Sequence, residues 1–232
     1  MNFSFGFAIL FTLMEIKYLG HASFLIKTKN AKVVTDPFDP KTTGLKYPKT
    51  EADMVTVSHG HDDHNQAHLV VAPEGKSPLV FDMPGEFESR GVRIFGFRSF
   101  HDDKHGAERG ENTLYKIEAE GISVLHCGDL GFVPDDAFID SIGDVDILMV
   151  PTGGFYTIDP EAATQLIKKV EPSIVIPMHY NHKDLDQKNF GQLVAVTEFT
   201  KKFGTENVAP IPKLVVKKDE LEEEMKIVVL SI

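Results

Sequence analysis

The 232-residue chain has no tryptophan and a single cysteine, Cys127. One thiol excludes an internal disulfide and suits a reducing compartment, so a cytoplasmic protein is expected. Basic residues are in deficit: 24 Lys and Arg face 35 Asp and Glu, for a net charge of −11. That balance argues against nucleic acid or an anionic membrane as a partner, because both need a basic face. A small anionic substrate stays admissible, since a bound metal supplies its own positive field. No Pro-, Gly- or Ser-rich linker, internal repeat or low-complexity tract divides the chain. With 42% hydrophobic residues it can bury one good core, and a single domain over residues 14–232 is expected.

Long apolar runs are lacking too. Residues 3–13, FSFGFAILFTL, are too short to cross a hydrocarbon layer of about 30 Å as a helix. They also lack the basic flank and small-residue cleavage site of a signal peptide. No transmembrane span is expected. The first strand is expected to open at Met14, itself a candidate start. Residues 1–13 then read as an upstream extension, an extra strand or dimer contact, or a membrane-surface segment.

What the chain does have is a dense ligand cluster. The run SHGHDDH places His59, His61, Asp62, Asp63 and His64 in one short turn. It directly follows Met54–Ser58, MVTVS, whose apolar, β-branched character reads as a buried strand. Mixed imidazole and carboxylate donors suit zinc or a related transition metal. An accidental His-rich loop is a poor alternative at this spacing and at a strand end.

Strands dominate the first part of the chain. They are expected at 15–18, 23–27, 32–35, 78–82 and 92–100, with a helix opening over 64–71. A hairpin is expected from 113–118 and 122–126, and a buried strand at 147–150. Asp159-Pro160 reads as a helix cap and first turn. A strand over 173–178 follows, then a helix over 189–203 ended by Gly204. Strands 213–217 and 225–232 are expected to pair around the acidic turn 219–224. Two runs of strands, each followed by helices, suggest two sheets with helices outside.

Three polar residues lie at expected strand ends: His101 in SFHDD, Asp129 in HCGD and His179 in PMHY. One such residue is usually a capped or hydrogen-bonded side chain. Three, together with the His cluster, point to one sheet edge. His105 is a rival to His101, which lies nearer its strand end.

The order HGHDDH, His101, Asp129, His179 resembles the metallo-β-lactamase fold superfamily. The phrases YLGHASFLI, TDPF, HCGDLG, VPTGGFYT and IPMHY resemble its branch of small metal-dependent hydrolases, which includes L-ascorbate-6-phosphate lactonases. The resemblance spans about residues 14–232. It implies an α/β, four-layer αββα sandwich of two mixed sheets. It further implies one metal on His59, His61 and His101, a second on Asp63, His64 and His179, and Asp129 bridging them. Relatives with di-iron redox chemistry usually carry Glu where His61 stands, so His61 favours Zn2+, with Mn2+ or Fe2+ as alternatives.

Two dications against two carboxylates, Asp63 and Asp129, would leave excess positive charge that stabilises hydroxide. Metal can lower the pKa of bound water from about 15.7 to about 7. Hydroxide held between the metals is the expected nucleophile for an ester, lactone, amide or phosphodiester bond, with Asp63 able to shuttle the proton. Asp36 is expected to orient the metal loop or to form an ordinary Asp-Pro turn, and His21 and His126 to support the site without ligating. Arg109 is a candidate clamp for a substrate carboxylate or phosphate, unless it balances Glu108 and Glu111. Asn112 is expected to orient substrate and Tyr156 to donate a hydrogen bond to it. Competing readings are an RNA-processing phosphodiesterase of the same fold and a non-catalytic metal-binding or regulatory protein. A homo-oligomer is compatible with all of these.

Overall fold

The computed structural model describes residues 13–206 and 208–232. The expected N-terminal extension therefore lies almost wholly outside the described residues. The strands are β1 (Met14–Gly20), β2 (Ser23–Lys27), β3 (Lys32–Thr35), β4 (Thr50–Glu51), β5 (Met54–Thr56), β6 (Val70–Val71), β7 (Leu79–Phe81) and β8 (Gly85–Ser89). They continue with β9 (Val92–Phe100), β10 (Glu111–Ala119), β11 (Ile122–His126), β12 (Ile147–Pro151), β13 (Ile174–Met178), β14 (Leu214–Val216) and β15 (Lys226–Ile227). The helices are α1 (Pro40–Thr43), α2 (Asp136–Ile142), α3 (Pro160–Val170), α4 (Gln187–Phe190) and α5 (Val196–Thr200).

Two mixed sheets form the sandwich. One has the order β14-β1-β2-β3-β5-β7 and the other β15-β13-β12-β11-β10-β9-β8. Period-two alternation decides which side chains meet between them. Ile16, Phe24, Ile26, Val33 and Met54 of the first sheet share one core with Tyr115, Ile117, Val124 and Met149 of the second. Leu19, Val34 and Val55 point the other way, against Ala52 and Val70. The two-stranded β4-β6 sheet belongs to this cover. On the second sheet α3 packs by Ala163, Leu166 and Ile167, spaced for one helical face. The Asp159 carboxylate caps it by accepting from Ala162 N at 2.8 Å, and Pro160 stands in its first turn as expected. The hairpin is present as the antiparallel β10-β11 pair.

Three expectations are corrected. Residues 64–71 do not form a helix. His64 is fully buried, a short 3-10 turn spans Ala67–Leu69, and Val70–Val71 pairs in parallel with Thr50–Glu51. Nor is 189–203 one helix. It breaks between α4 and α5 because Asn181 Nδ2 reaches the Leu193 carbonyl at 3.1 Å and Val194 N donates to Gly153 O at 2.9 Å. The chain is pulled onto those loops while Phe190 and Leu193 bury against Phe38 and Leu45. Finally, the last two strands join different sheets, β14 antiparallel to β1 and β15 parallel to β13.

Candidate metal centre

Every residue of the centre leaves the end of a strand, and both sheets contribute. β3 delivers Asp36 and β5 leads into Ser58 and His59. Asp36 is fully buried. Its Oδ1 accepts from Ser58 N at 2.8 Å, and its Oδ2 accepts from Ser58 Oγ at 2.5 Å. His64 Nδ1 also lies 2.8 Å from Asp36 Oδ2. A carboxylate can only accept here, so His64 carries its proton on Nδ1 and turns Nε2 toward the centre. Asp36 thus does more than start a turn: it holds the loop and fixes the imidazole.

Asp129 follows β11 and lies amid the imidazoles. Its Oδ2 is 3.1 Å from His101 Nε2, 3.3 Å from His179 Nε2 and 4.0 Å from His59 Nε2. Its Oδ1 is 3.3 Å from His64 Nε2. Three groups of donor atoms lie within 4.8 Å of one another: His59, His61 and His101; His59, His64 and Asp129; and His21, Asp63, His64 and His179. All seven residues of the expected metal set are therefore brought together. His105 is exposed and packs edge-on against Phe100, outside these groups. Exposed His68 is likewise outside them, and His182 pairs with Asp184.

Buried donors without hydrogen-bond partners include His64 Nε2, Asp129 Oδ1 and His179 Nε2. Orphaned polar atoms in a protein interior are costly, and here they face one another. The electrostatics show the same unmet demand for a cation. Burial alone would lower His64, but Asp129 and Asp63 outweigh it and hold the imidazole well above its ordinary range. Burial would likewise raise Asp129, yet His179 and His64 keep it well below the ordinary carboxylate range. Burial draws His59 down to about 3, with His64 adding to the effect. His59 is thus held neutral and Asp129 ionised, the forms in which each binds a divalent ion, while the proton that the carboxylates keep on His64 is one that an ion would displace.

The supporting residues divide by their bonds. His21 lies in the group with Asp63, His64 and His179, its Nε2 3.0 Å from Asp63 Oδ2. Burial and His179 lower it to about 4. Its carbonyl accepts from Tyr18 Oη at 2.7 Å and from His179 N at 2.8 Å. His126 uses both nitrogens elsewhere, with Nε2 2.8 Å from Ala22 O and Nδ1 3.2 Å from Gly128 N. Burial lowers it as well. Cys127 is a fully buried small residue whose thiol burial pushes up.

Asn112 is corrected. It is fully buried and does not line the cleft at the cluster. Its Nδ2 donates to Ser99 Oγ at 2.8 Å and to Cys127 O at 2.9 Å, while Oδ1 accepts from Asp129 N at 3.0 Å. Asn112 positions Asp129. Gly128, with φ of 54°, lies so close that an added Cβ would stand 2.4 Å from Asn112 Oδ1. Only glycine lets the turn approach this amide.

A cleft of about 340 Å³ opens at the cluster, bounded by His61, Asp63, His101, Asp129 and His179 and by Arg109, Tyr156 and Phe190. The Tyr156 hydroxyl already donates to Asn189 O at 2.8 Å, so the aromatic ring rather than a free donor is what Tyr156 offers. Arg109 does not balance its neighbours, because Glu108 pairs with Lys104 and Glu111 with Arg98. Two contributors were missed from sequence. Ser58 looks like an ordinary strand end, and Asp102 hides in the polar run HDDKHG; neither has a local signal that sets it apart from a side chain facing solvent.

The comparisons agree with this geometry. The family described as the beta-lactamase superfamily domain matches residues 15–179. A UPF0173 metal-dependent hydrolase of Pelotomaculum thermopropionicum is 31% identical over 214 residues, covering 80% of this chain and 92% of the relative. One from Thermoplasma acidophilum is 30% identical, covering 74% and 85%. A Thermotoga maritima crystal structure, described as a candidate Zn-dependent hydrolase of the metallo-β-lactamase superfamily, superposes with a TM-score of 0.75. It is 36% identical and covers 94% of this chain and 98% of that one. The order of the clustered His and Asp residues, the two-sheet edge that gathers them and these relatives agree: the chain belongs to the metallo-β-lactamase superfamily, among its metal-dependent hydrolases.

Proposed function

We propose that the chain is a binuclear hydrolase that cleaves an ester, lactone or phosphodiester bond in a small molecule. The reading is carried by one observation, the facing buried donors His64 Nε2, Asp129 Oδ1 and His179 Nε2, which make no hydrogen bond among the described residues. His59, His61 and His101 would hold one ion and Asp63, His64 and His179 the other, with Asp129 between them. Zinc suits this imidazole-rich set, and manganese or iron could replace it. When bound, such ions acidify water and polarise a carbonyl or phosphoryl oxygen. Asp63 faces the cleft beside His21, where its carboxylate can take up and release the proton of the attacking water. His21 holds that carboxylate in place, and Asp36 does the same for His64. The cleft is at the small end of ligand sites, which span about 300–1,000 Å³. Together with the net charge of −11, that size favours a small molecule over RNA. Among the described residues no helix is long and apolar enough to cross a membrane, and the lone buried thiol suits the cytoplasm.

Elemental analysis of protein purified without added metal tests the reading. About two equivalents per chain, with activity on aryl esters or phosphodiesters lost on chelation and restored by metal, is expected. No metal and no uptake on titration, or full activity after chelation, would overturn it.

A further inference from the structure

Asp102 is 97% buried, with 3% of its surface exposed, and its carboxylate gathers a loop around itself. Oδ1 accepts from Lys104 N at 2.8 Å and Gly106 N at 2.9 Å. Oδ2 accepts from Glu108 N at 3.0 Å and Arg109 N at 2.7 Å. Gly110 closes the turn, donating to Gly106 O and accepting from His101 N, each at 3.0 Å. Charge-assisted bonds to backbone amides are stronger than neutral ones, so residues 104–110 form a preset arm rather than a slack loop. The arm begins beside His101 and ends with Arg109 on the wall of the cleft.

The charges along the arm are paired with one exception. Lys104 takes Glu108 and Arg98 takes Glu111. Arg109 has no carboxylate partner among the described residues. Its guanidinium makes one long bond, Nη2 to Phe155 O at 3.3 Å, and lies 6.0 Å from the centre of the Tyr156 ring. An arginine carries five N–H donors in a rigid plane, so most of the fork is unused. Among the described residues no other Lys or Arg lines the cleft. Glu108, which also lines the cleft, is held by Lys104 and leaves Arg109 without a counter-charge. Stacked beside Tyr156 and left with free donors, Arg109 is preorganised for an anion.

We propose that the molecule cleaved here carries a carboxylate or phosphate group that docks on Arg109, and that Asp102 is the positioning residue that sets Arg109 in place. This rests on the hydrolase reading above and narrows it to substrates with an anionic group within one small molecule of the scissile bond.

The test uses metal-loaded protein, with metal content checked in every variant. Calorimetry measures binding of inorganic phosphate and of glutarate to wild type, Arg109→Ala and Arg109→Lys; the tighter probe identifies which anion fits. In parallel, kcat/KM is compared for mono-4-nitrophenyl glutarate and neutral 4-nitrophenyl acetate. Arg109→Ala should weaken the preferred anion by about 10- to 100-fold and lower the anionic-over-neutral ratio, with Arg109→Lys recovering part of the binding. Asp102→Asn should reduce that ratio mainly through KM for the anionic ester at unchanged metal content. Equal anion binding by wild type and Arg109→Ala would overturn the proposal while leaving hydrolysis in place. Arg109-dependent anion binding without turnover of any ester or phosphodiester would instead overturn the hydrolase reading.

Discussion

Replacing Asn112 by alanine measures what it takes to hold Asp129. The amide is fully buried and makes three bonds, to Ser99 Oγ, Cys127 O and Asp129 N. Ser99 Oγ keeps a partner after truncation, since it also donates to the backbone carbonyl of residue 112 at 3.0 Å. The Cys127 carbonyl and the Asp129 amide do not. Each buried orphan costs about 1–3 kcal/mol, so two put the loss at about 4 kcal/mol. A water filling the vacated space would return part of this and bring the loss nearer 2 kcal/mol. At about 2–4 °C per kcal/mol for a chain of this length, the melting temperature should fall by about 5–15 °C. Far-UV circular dichroism is the suitable probe, because the chain has no tryptophan to report by fluorescence. The same variant should retain less metal, since the backbone of residue 129 is no longer fixed. A drop under about 2 °C with full metal content would refute the reasoning.

Other perturbations follow from the same geometry. Lys213, then Lys27, lowers Glu15 from its ordinary 4.5 to about 2. A depressed carboxylate stabilises above its unfolded pKa, so this contribution is complete above about pH 4.5 and fades as pH falls toward 2. Lys213 and Lys27 are 45% and 35% exposed, so solvent screening leaves about 1 kcal/mol. Glu15→Gln should lose about that much at pH 7 in urea titrations and match wild type near pH 2, and a pH-independent difference would count against the pairing. Gly131→Ala would place a Cβ 2.3 Å from Asp102 N and from the His101 carbonyl carbon. No side chain can yield there, and a loss of at least about 3 kcal/mol in thermal melts is expected.

The parts of the molecule legible in the sequence are those whose causes are local. Four candidate ligands fall within His59–His64, so chemistry and spacing could be read together. His101, Asp129 and His179 were found because strand ends are marked by a change from apolar to polar residues. The Asp159-Pro160 cap is likewise complete within a few positions. What escaped depends on partners distant in the chain. The break in 189–203 comes from Asn181 and Gly153, and nothing between Phe190 and Phe203 announces either. The last two strands have equal claims on each other and on either sheet, and packing sends them apart. Asn112 looked solvent-facing beside a polar loop, but it opens β10, where the neighbouring β9 and the 127–129 turn enclose it. Asp102 reads as one more acidic loop residue until its four amide partners are seen.

The centre straddles the sandwich. His59 to His64 follow the first sheet, whereas His101, Asp129 and His179 follow the second. The contact between His126 Nε2 and Ala22 O bridges 104 residues beside the same edge. Neither sheet alone holds the full set, so ions bound there would rivet the layers, and their affinity would report how well the two halves are docked. The rivet also has an order in time. A chain emerging from the ribosome presents the His cluster early but cannot complete the centre until residue 179 has followed β13 into place.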